Sequence, residues 1–277
     1  MAGAAPAANG RIRLGVTAQR GIRQTENRWQ ELAHYLGRSL GREVEAVAVE
    51  IAHVYGAAAD KTVDLFLANP NQTLMLKHKQ DARLLASVVG RHGPSFGGVI
   101  VAKKDSGVAR VQDLKARLVA GLGRQSAGGY LFQAHHTAQQ GLRARRDYGM
   151  QFCMSQDEAM QALQQGKTSA AFVRSGILES MADEGKIRLA DFVVIDERKD
   201  AGFPLLHSTV LYPEHYLIAL PHLDQALADG AKKAVLQLAP DQAAVQAAGI
   251  KGFIAPLNTA SLEAIMKEMK APPFEHA

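Results

Sequence analysis

One cysteine, Cys153, stands in 277 residues, so no internal disulfide is possible and cysteine usage names no redox compartment. Aromatic residues are sparse at 6%, with a single tryptophan, and the excess of positive charge is only +5, its lysines and arginines scattered along the chain. Nucleic-acid binding, which draws on a clustered basic face with interleaved aromatics, is therefore not expected. No apolar run approaches the roughly 20 residues that cross a bilayer, so no membrane insertion is expected either. The chain also lacks Cys-x-x-Cys, Walker and Gly-x-Ser-x-Gly patterns. His135 and His136 are adjacent and point to different sides of a helix, which excludes the i, i+4 pair of a zinc site. The expectation is a protein that is not an enzyme and needs no cofactor or metal.

What is present is an alternation of strand and helix patterns with ample apolar content, the sign of a mainly parallel α/β sheet covered by helices. Strands are predicted at 11–18, 44–51, 63–68, 84–89, 98–102, 118–121, 151–154, 170–173, 192–195 and 203–211. Helices are predicted at 25–40, 128–140, 156–165 and 177–184, and the stretch after residue 211 reads as helical through 223–238, 242–248 and 262–269. Residues 1–10, small and unpatterned, predict a disordered N-terminal segment of the kind left by signal-peptide removal, with Met1 added for expression. The turn-rich run Gly90 to Gly97 suggests a crossing between lobes. One lobe is assigned to 11–101 plus 206–277 and an inserted second lobe to 102–205.

Three apolar runs break off onto small or amide residues where a helix pattern begins: at Asn69-Pro70-Asn71-Gln72, at Gln125-Ser126-Ala127-Gly128-Gly129, and at Ser155-Gln156-Asp157-Glu158. Helix N-termini present unpaired N–H groups and the positive end of the macrodipole, so together they suit a small polar or anionic ligand. Each also has a purely structural reading. Asn69 and Ser126 are good N-caps, Ser155 with Glu158 has capping-box spacing, and Gln72 reads as the freer side chain. Arg174 follows a strand directly, where its guanidinium suits either a bidentate oxyanion contact or a carboxylate partner. Arg20 stands in the turn after the first strand, and His207 near the second crossing. Cys153 reads either as a buried small hydrophobe or, just before a helix start, as a thiol of lowered pKa suited to a thiophilic ligand.

Taken together, Arg13-Leu14-Gly15-Val16 with Arg20-Gly21, Trp29, Asn69-Pro70-Asn71-Gln72, Phe96-Gly97-Gly98-Val99-Ile100, Ser126-Ala127-Gly128-Gly129-Tyr130, and Phe203 to Thr209 with Leu211-Tyr212-Pro213-Glu214 resemble the periplasmic phosphate/phosphonate-binding-protein-like family. Within it, the likeness is to sensor portions of tetrathionate-type sensor histidine kinases and to free-standing proteins that present oxyanions or arsenite to such kinases. It spans Ile12 to Phe274. The resemblance implies a type II periplasmic-binding-protein fold of two α/β lobes with a ligand cleft and two interlobe crossings, a periplasmic location, and capture without turnover. The ligand expected is a small oxyanion or oxyacid: phosphonate- or phosphite-like, a sulfur oxyanion, or arsenite. The partner expected is a sensor histidine kinase, with an ABC permease as the alternative and a Cys-dependent enzyme on the same fold as a remoter one. The ligand-binding candidates are Arg20, Asn69, Gln72, Gln125, Ser126, Ala127, Cys153, Ser155, Gln156, Arg174 and His207. Where the family pattern has a Thr-Gly-Ser-His-like stretch, this chain has Cys153-Met154-Ser155-Gln156, which points away from plain phosphate.

Overall fold

The computed structural model describes residues 10–275, so the predicted segment at residues 1–10 lies, but for Gly10, outside the described residues. The chain runs β1 (Ile12–Thr17), α1 (Ile22–Leu40), β2 (Val44–Val49), α2 (Val54–Ala59), β3 (Leu65–Ala68), α3 (Pro70–Gln80) and β4 (Arg83–Gly90). It continues through β5 (Ser95–Phe96), β6 (Gly98–Lys103), β7 (Leu118–Gly121), α4 (Phe132–Gln139), β8 (Gly149–Phe152), α5 (Gln156–Gln164), β9 (Ala170–Arg174), α6 (Ile177–Asp183), β10 (Phe192–Val194) and β11 (Tyr212–Pro213). It closes with β12 (Tyr216–Ala219), α7 (Gln225–Leu236), α8 (Ala243–Ala248), β13 (Ile250–Ile254) and α9 (Ala260–Glu268).

Two compact units result. The first comprises residues up to Ala18 with Ile22–Arg91 and Glu214–Asn258; the second comprises Gln19–Gly21, His92–Pro213 and the chain from Thr259. The boundaries differ from those expected. The chain enters the second unit at His92 instead of 102 because the strand Gly98–Lys103 finds both its partners, β9 and β10, in the second sheet. It leaves at Glu214 instead of 206. The C-terminal helix also belongs to the second unit, where Glu268 reaches His135 at 3.0 Å.

The sheet of the first unit has the order β13-β4-β12-β3-β1-β2. Only β1 with β2 and β1 with β3 are parallel; β12 and β13 pair antiparallel, so the sheet is mixed where a mainly parallel one was expected. Both β12 and β13 fall in the stretch read as helical. Tyr216–Ala219 is four consecutive buried residues, a run too short for periodicity to separate a strand from a helix. Amphipathic α1 covers one face with Trp29, Leu32, Ala33 and Leu36, packed with residues of α7 and α8; Val54, Ala58 and Leu76 cover the other. The continuous apolar β3 is buried on both faces as a result.

The sheet of the second unit has the order β10-β6-β9-β7-β8 and is also mixed, with β7 parallel to β8 and β9 and β6 antiparallel to β9 and β10. The strand expected over 203–211 is instead an irregular segment stitched to β6. Ser208 Oγ accepts from the Ile100 amide at 2.9 Å and Thr209 Oγ1 from the Gly98 amide at 2.9 Å, while their own amides donate to the Gly98 carbonyl. Side chains thus replace a ladder.

Candidate functional site

In the second unit the carboxyl ends of β7, β8 and β9 carry the polar residues that were expected to bind. After β7, Ser126 caps a π-helical turn, Ala127–Leu131, that leads into α4; its Oγ accepts from the Gly129 amide at 3.2 Å. The turn is π-helical because the Leu131 amide reaches back to the Ser126 carbonyl. Among the described residues, nothing accepts a hydrogen bond from the amide N–H of Ala127 or Gly128, and both residues are buried. Buried N–H groups are almost always paired in folded proteins. These two amides lie where the backbone dipole favours a negative group.

Glycine makes the approach to this turn possible. A Cβ on Gly128 would lie 2.6 Å from the Phe96 ring and 2.8 Å from the Arg174 Cβ, and one on Gly129 would lie 2.9 Å from Ser126 Oγ and 3.2 Å from Gln156 Nε2. Arg174, at the end of β9, therefore lies directly against the turn. Its guanidinium stacks over Phe96 at 4.4 Å and donates to Gln19 Oε1 at 3.4 Å. Gln156, at the first position of α5, is buried; its Oε1 accepts from the Arg174 amide at 3.3 Å, and its own amide donates to the Gln19 carbonyl at 2.9 Å. From beneath, the buried Gln133 amide donates to the carbonyls of Val99, Gly128 and Val173, fixing the turn to two strands. Ser126, Ala127, Gln156 and Arg174 are thus brought together, and Gln125 is half-buried in the loop that precedes them. Gln19, Phe96 and Gln133 are contributors that sequence reasoning missed. Gln19 follows a strand, a visible signal overshadowed by its charged neighbour; Phe96 stands in the sequence only as part of the Phe96-Gly97-Gly98 motif, and Gln133 gives no signal.

Other candidates are engaged elsewhere. Arg20 holds Asp157 at 2.6 and 2.9 Å and Glu184 at 2.6 and 2.9 Å, with Lys186 joining both carboxylates. Hydrogen bonds to Arg20 and Lys186 lower the Glu184 carboxyl to about 2, and they outweigh the burial that would raise Asp157. Four contacts to two carboxylates leave Arg20 a structural cation. Ser155 Oγ accepts from the Glu158 amide at 3.1 Å, while Glu158 accepts from the Met154 amide, a cap that explains both residues. His207 is fully buried inside the second unit, not at a crossing. Its Nδ1 lies 2.8 Å from the Leu205 carbonyl, its Nε2 3.3 Å from Asp200, and Phe203 packs edge-on to its ring.

Cys153 lies just beyond β8 and is buried, with Sγ 3.8 Å from the Gln151 carbonyl. Burial and the neighbouring Glu158 carboxylate raise the thiol's pKa, which agrees with the reading of Cys153 as a buried small hydrophobe and runs against the reading of a lowered thiol before a helix. In the first unit, Asn69 and Gln72 form a complete capping box. Gln72 is not the freer side chain: it is buried, its Oε1 accepts from Thr17 Oγ1 at 2.8 Å, and its Nε2 reaches the Ile51 carbonyl at 3.4 Å.

Mixed sheets in two units, with capped helix starts and a stacked guanidinium at the strand ends, place the chain in the class of type II periplasmic binding proteins. Solved structures agree on the fold. PhnD1 from Prochlorococcus marinus (MIT 9301), in complex with methylphosphonate, has a TM-score of 0.78 at 14% identity and covers 94% of this chain and 98% of its own. A binding-protein component of an ABC phosphonate transporter from Pseudomonas aeruginosa also has a TM-score of 0.78, at 15% identity, covering 94% and 86%. A family model described as "ABC transporter, phosphonate, periplasmic substrate-binding protein" matches residues 14–260, and the chain belongs to that family. It is also 31% identical over 267 residues to the tetrathionate sensor histidine kinase TtrS of Salmonella typhimurium. That match covers 94% of this chain but 44% of TtrS, so the chain spans less than half the length of this relative. Family membership gives the protein an extracytoplasmic solute-binding role, and none of the helices among the described residues is long and apolar enough to cross a membrane.

Proposed function

We propose that the protein captures a small phosphorus or sulfur oxyanion at the turn Ser126–Gly129 and signals its presence to a sensor histidine kinase, releasing the ligand unchanged. The observation that carries this reading is the pair of buried, unaccepted amides of Ala127 and Gly128 at a helix start packed against the base of the Arg174 side chain, whose guanidinium stacks over Phe96. Amide N–H groups and a planar guanidinium are the donors an oxyanion needs. Micromolar affinity requires about 8 kcal/mol, and three or four hydrogen bonds to a charged ligand at about 1.5–3 kcal/mol each supply that order after ordering costs. No covalent step and no metal are required.

The relation to TtrS favours signalling, and tetrathionate and thiosulfate are the first sulfur oxyanions to test. The family description favours the alternative of a phosphonate and a transport partner. Arsenite is the least supported ligand, because a buried Cys153 with raised pKa is poorly prepared to offer a thiolate. A thermal-shift and calorimetry panel with methylphosphonate, phosphite, sulfate, thiosulfate, tetrathionate and arsenite tests this on the wild type and Arg174→Ala. One oxyanion should stabilise the wild type in a saturable way and bind Arg174→Ala about 10- to 150-fold more weakly, matching 1.5–3 kcal/mol. Equal affinity in the two proteins refutes the placement of the site. Ligand consumed during the titration refutes capture without turnover.

A further inference from the structure

The outer strand of the second sheet, β8, pairs only with β7. Its Gly149 amide donates to the Arg117 carbonyl and the Cys153 amide beyond it to the Gly121 carbonyl, both at 2.8 Å. In a parallel strand these alternate residues turn their polar groups inward, so the N–H and C=O of Met150 and Phe152 point to the open edge. Among the described residues none pairs with them. Phe152 and Met154 at this end are 45% and 58% exposed, and the Tyr130 ring buttresses Phe152 edge-on at 5.7 Å.

Other sheet edges are blunted in the usual ways. β2 carries Glu45, paired with Arg11 at 2.6 Å; β13 carries the exposed Lys251 and a register shift; β10 is three residues long. β8, Gly-Met-Gln-Phe, carries no charge and no bulge. Cations frame it instead. Arg117 sits beside its start and Arg143 and Arg145 in the turn before it, while Arg124 follows β7 near its end. None of the four guanidiniums pairs with a carboxylate among the described residues; the nearby Asp147 accepts from the Arg143 backbone amide at 2.6 Å and is held by the Arg146 guanidinium at 2.7 Å. Burial pushes the Tyr130 phenol up, and the positive charges of Arg124 and Arg145 pull it the other way.

We propose that the free edge of β8 is a docking strand for an extended acidic segment of a partner protein, which adds antiparallel or parallel to Met150 and Phe152. Main-chain hydrogen bonds to these residues supply affinity, Phe152 and Met154 supply an apolar contact on alternate side chains, and the framing arginines select acidic residues between them. A second copy of this chain does not fit, because edge-to-edge pairing would set the same four arginines against one another.

The test uses the whole chain and two probe peptides, Ac-Glu-Val-Glu-Val-Glu-Val-NH2 and its lysine counterpart, read by amide hydrogen exchange and by calorimetry at two salt concentrations. The acidic peptide should slow exchange at Met150 and Phe152, bind at least tenfold more tightly than the basic one, and weaken as salt rises. Met150→Pro, which removes one outward N–H, should abolish that protection. Phe152→Glu and the double variant Arg124→Glu/Arg145→Glu, all at exposed side chains, should each lower acidic-peptide affinity at least tenfold while leaving the thermal midpoint within about 2 °C. Equal binding of both peptides, acidic-peptide affinity unchanged in Phe152→Glu and the double variant, or protection that grows with protein concentration without peptide overturns the proposal; the last would identify a second copy as the occupant. None of these readouts uses the oxyanion, so failure here is separate from failure of the proposed function.

Discussion

Adding one methyl group to Gly128 is the sharpest test of how the site is built. The new Cβ would sit 2.6 Å from the Phe96 ring and 2.8 Å from the Arg174 Cβ, well inside contact distance. Phe96 also packs against Phe132 at 5.3 Å, so the ring has little room to retreat, and the Arg174 stem is anchored by its own strand. Overpacking of this kind costs about 1–3 kcal/mol. Against it stands about 0.5–1 kcal/mol gained by replacing glycine in a helical segment, since Gly128 has no positive φ to preserve. Gly128→Ala should therefore destabilise by up to about 2.5 kcal/mol in urea unfolding. It should cost more in affinity than in stability, because it displaces the Arg174 side chain and the turn that carries the two amides. The matched control is Gly56→Ala in α2, where a Cβ meets nothing within 4 Å; it should stabilise by up to about 1 kcal/mol and leave binding alone. If Gly128→Ala is as stable as Gly56→Ala and binds normally, the close packing of turn, ring and guanidinium is not what shapes the site.

Three further outcomes follow from the same geometry. Asp157 and Glu184 have carboxyls lowered in the folded state, so the stability they contribute is present above their unfolded values near 4 and is lost as pH falls toward about 2; in Arg20→Gln that part of the acid transition should flatten, measured by urea midpoints across the range. Gln72→Ala should lower stability by about 1–3 kcal/mol, since it removes half of the Asn69 capping box and leaves the buried Thr17 hydroxyl without its acceptor, whereas Gln72→Glu should recover part of it; equal stability of Ala and wild type would refute the structural role. Cys153 should alkylate with iodoacetamide at least tenfold more slowly than a free thiol at pH 8 and react at the free rate in urea, because burial suppresses its thiolate; a fast native reaction would reverse the reading of this residue.

Much of the fold can be read directly from the chain. The strand Leu118–Gly121 and the cap positions Asn69, Ser126 and Ser155 follow from apolar runs that end on small polar residues, signals that are local and therefore visible. Strands β12 and β13 were not visible, because a short buried run has no period and β13 carries a glycine at φ 133° and a shifted register. The domain boundary differs for a related reason: Gly98–Lys103 reads as a strand, but which sheet it joins depends on partners distant in the chain, such as Arg174 for Gly98 and Ala170 for Ala102. Arg20 and Arg174 looked equivalent as charged residues after strands. Only the carboxylates of Asp157 and Glu184, distant in sequence, made one a structural cation, while Phe96 and Gln19 set the other against the turn.

By itself the sequence determined the α/β class, the places where helices begin and the residue types that gather at strand ends, since caps and apolar periodicity act over a few residues. Tertiary structure alone decided which of those groups are engaged in the fold. Buried hydrogen bonds and ion pairs join residues far apart in the chain, so the capture of Gln72 by Thr17, the raised Cys153 thiol and the buried amides of Ala127 and Gly128 exist only once the sheets have assembled.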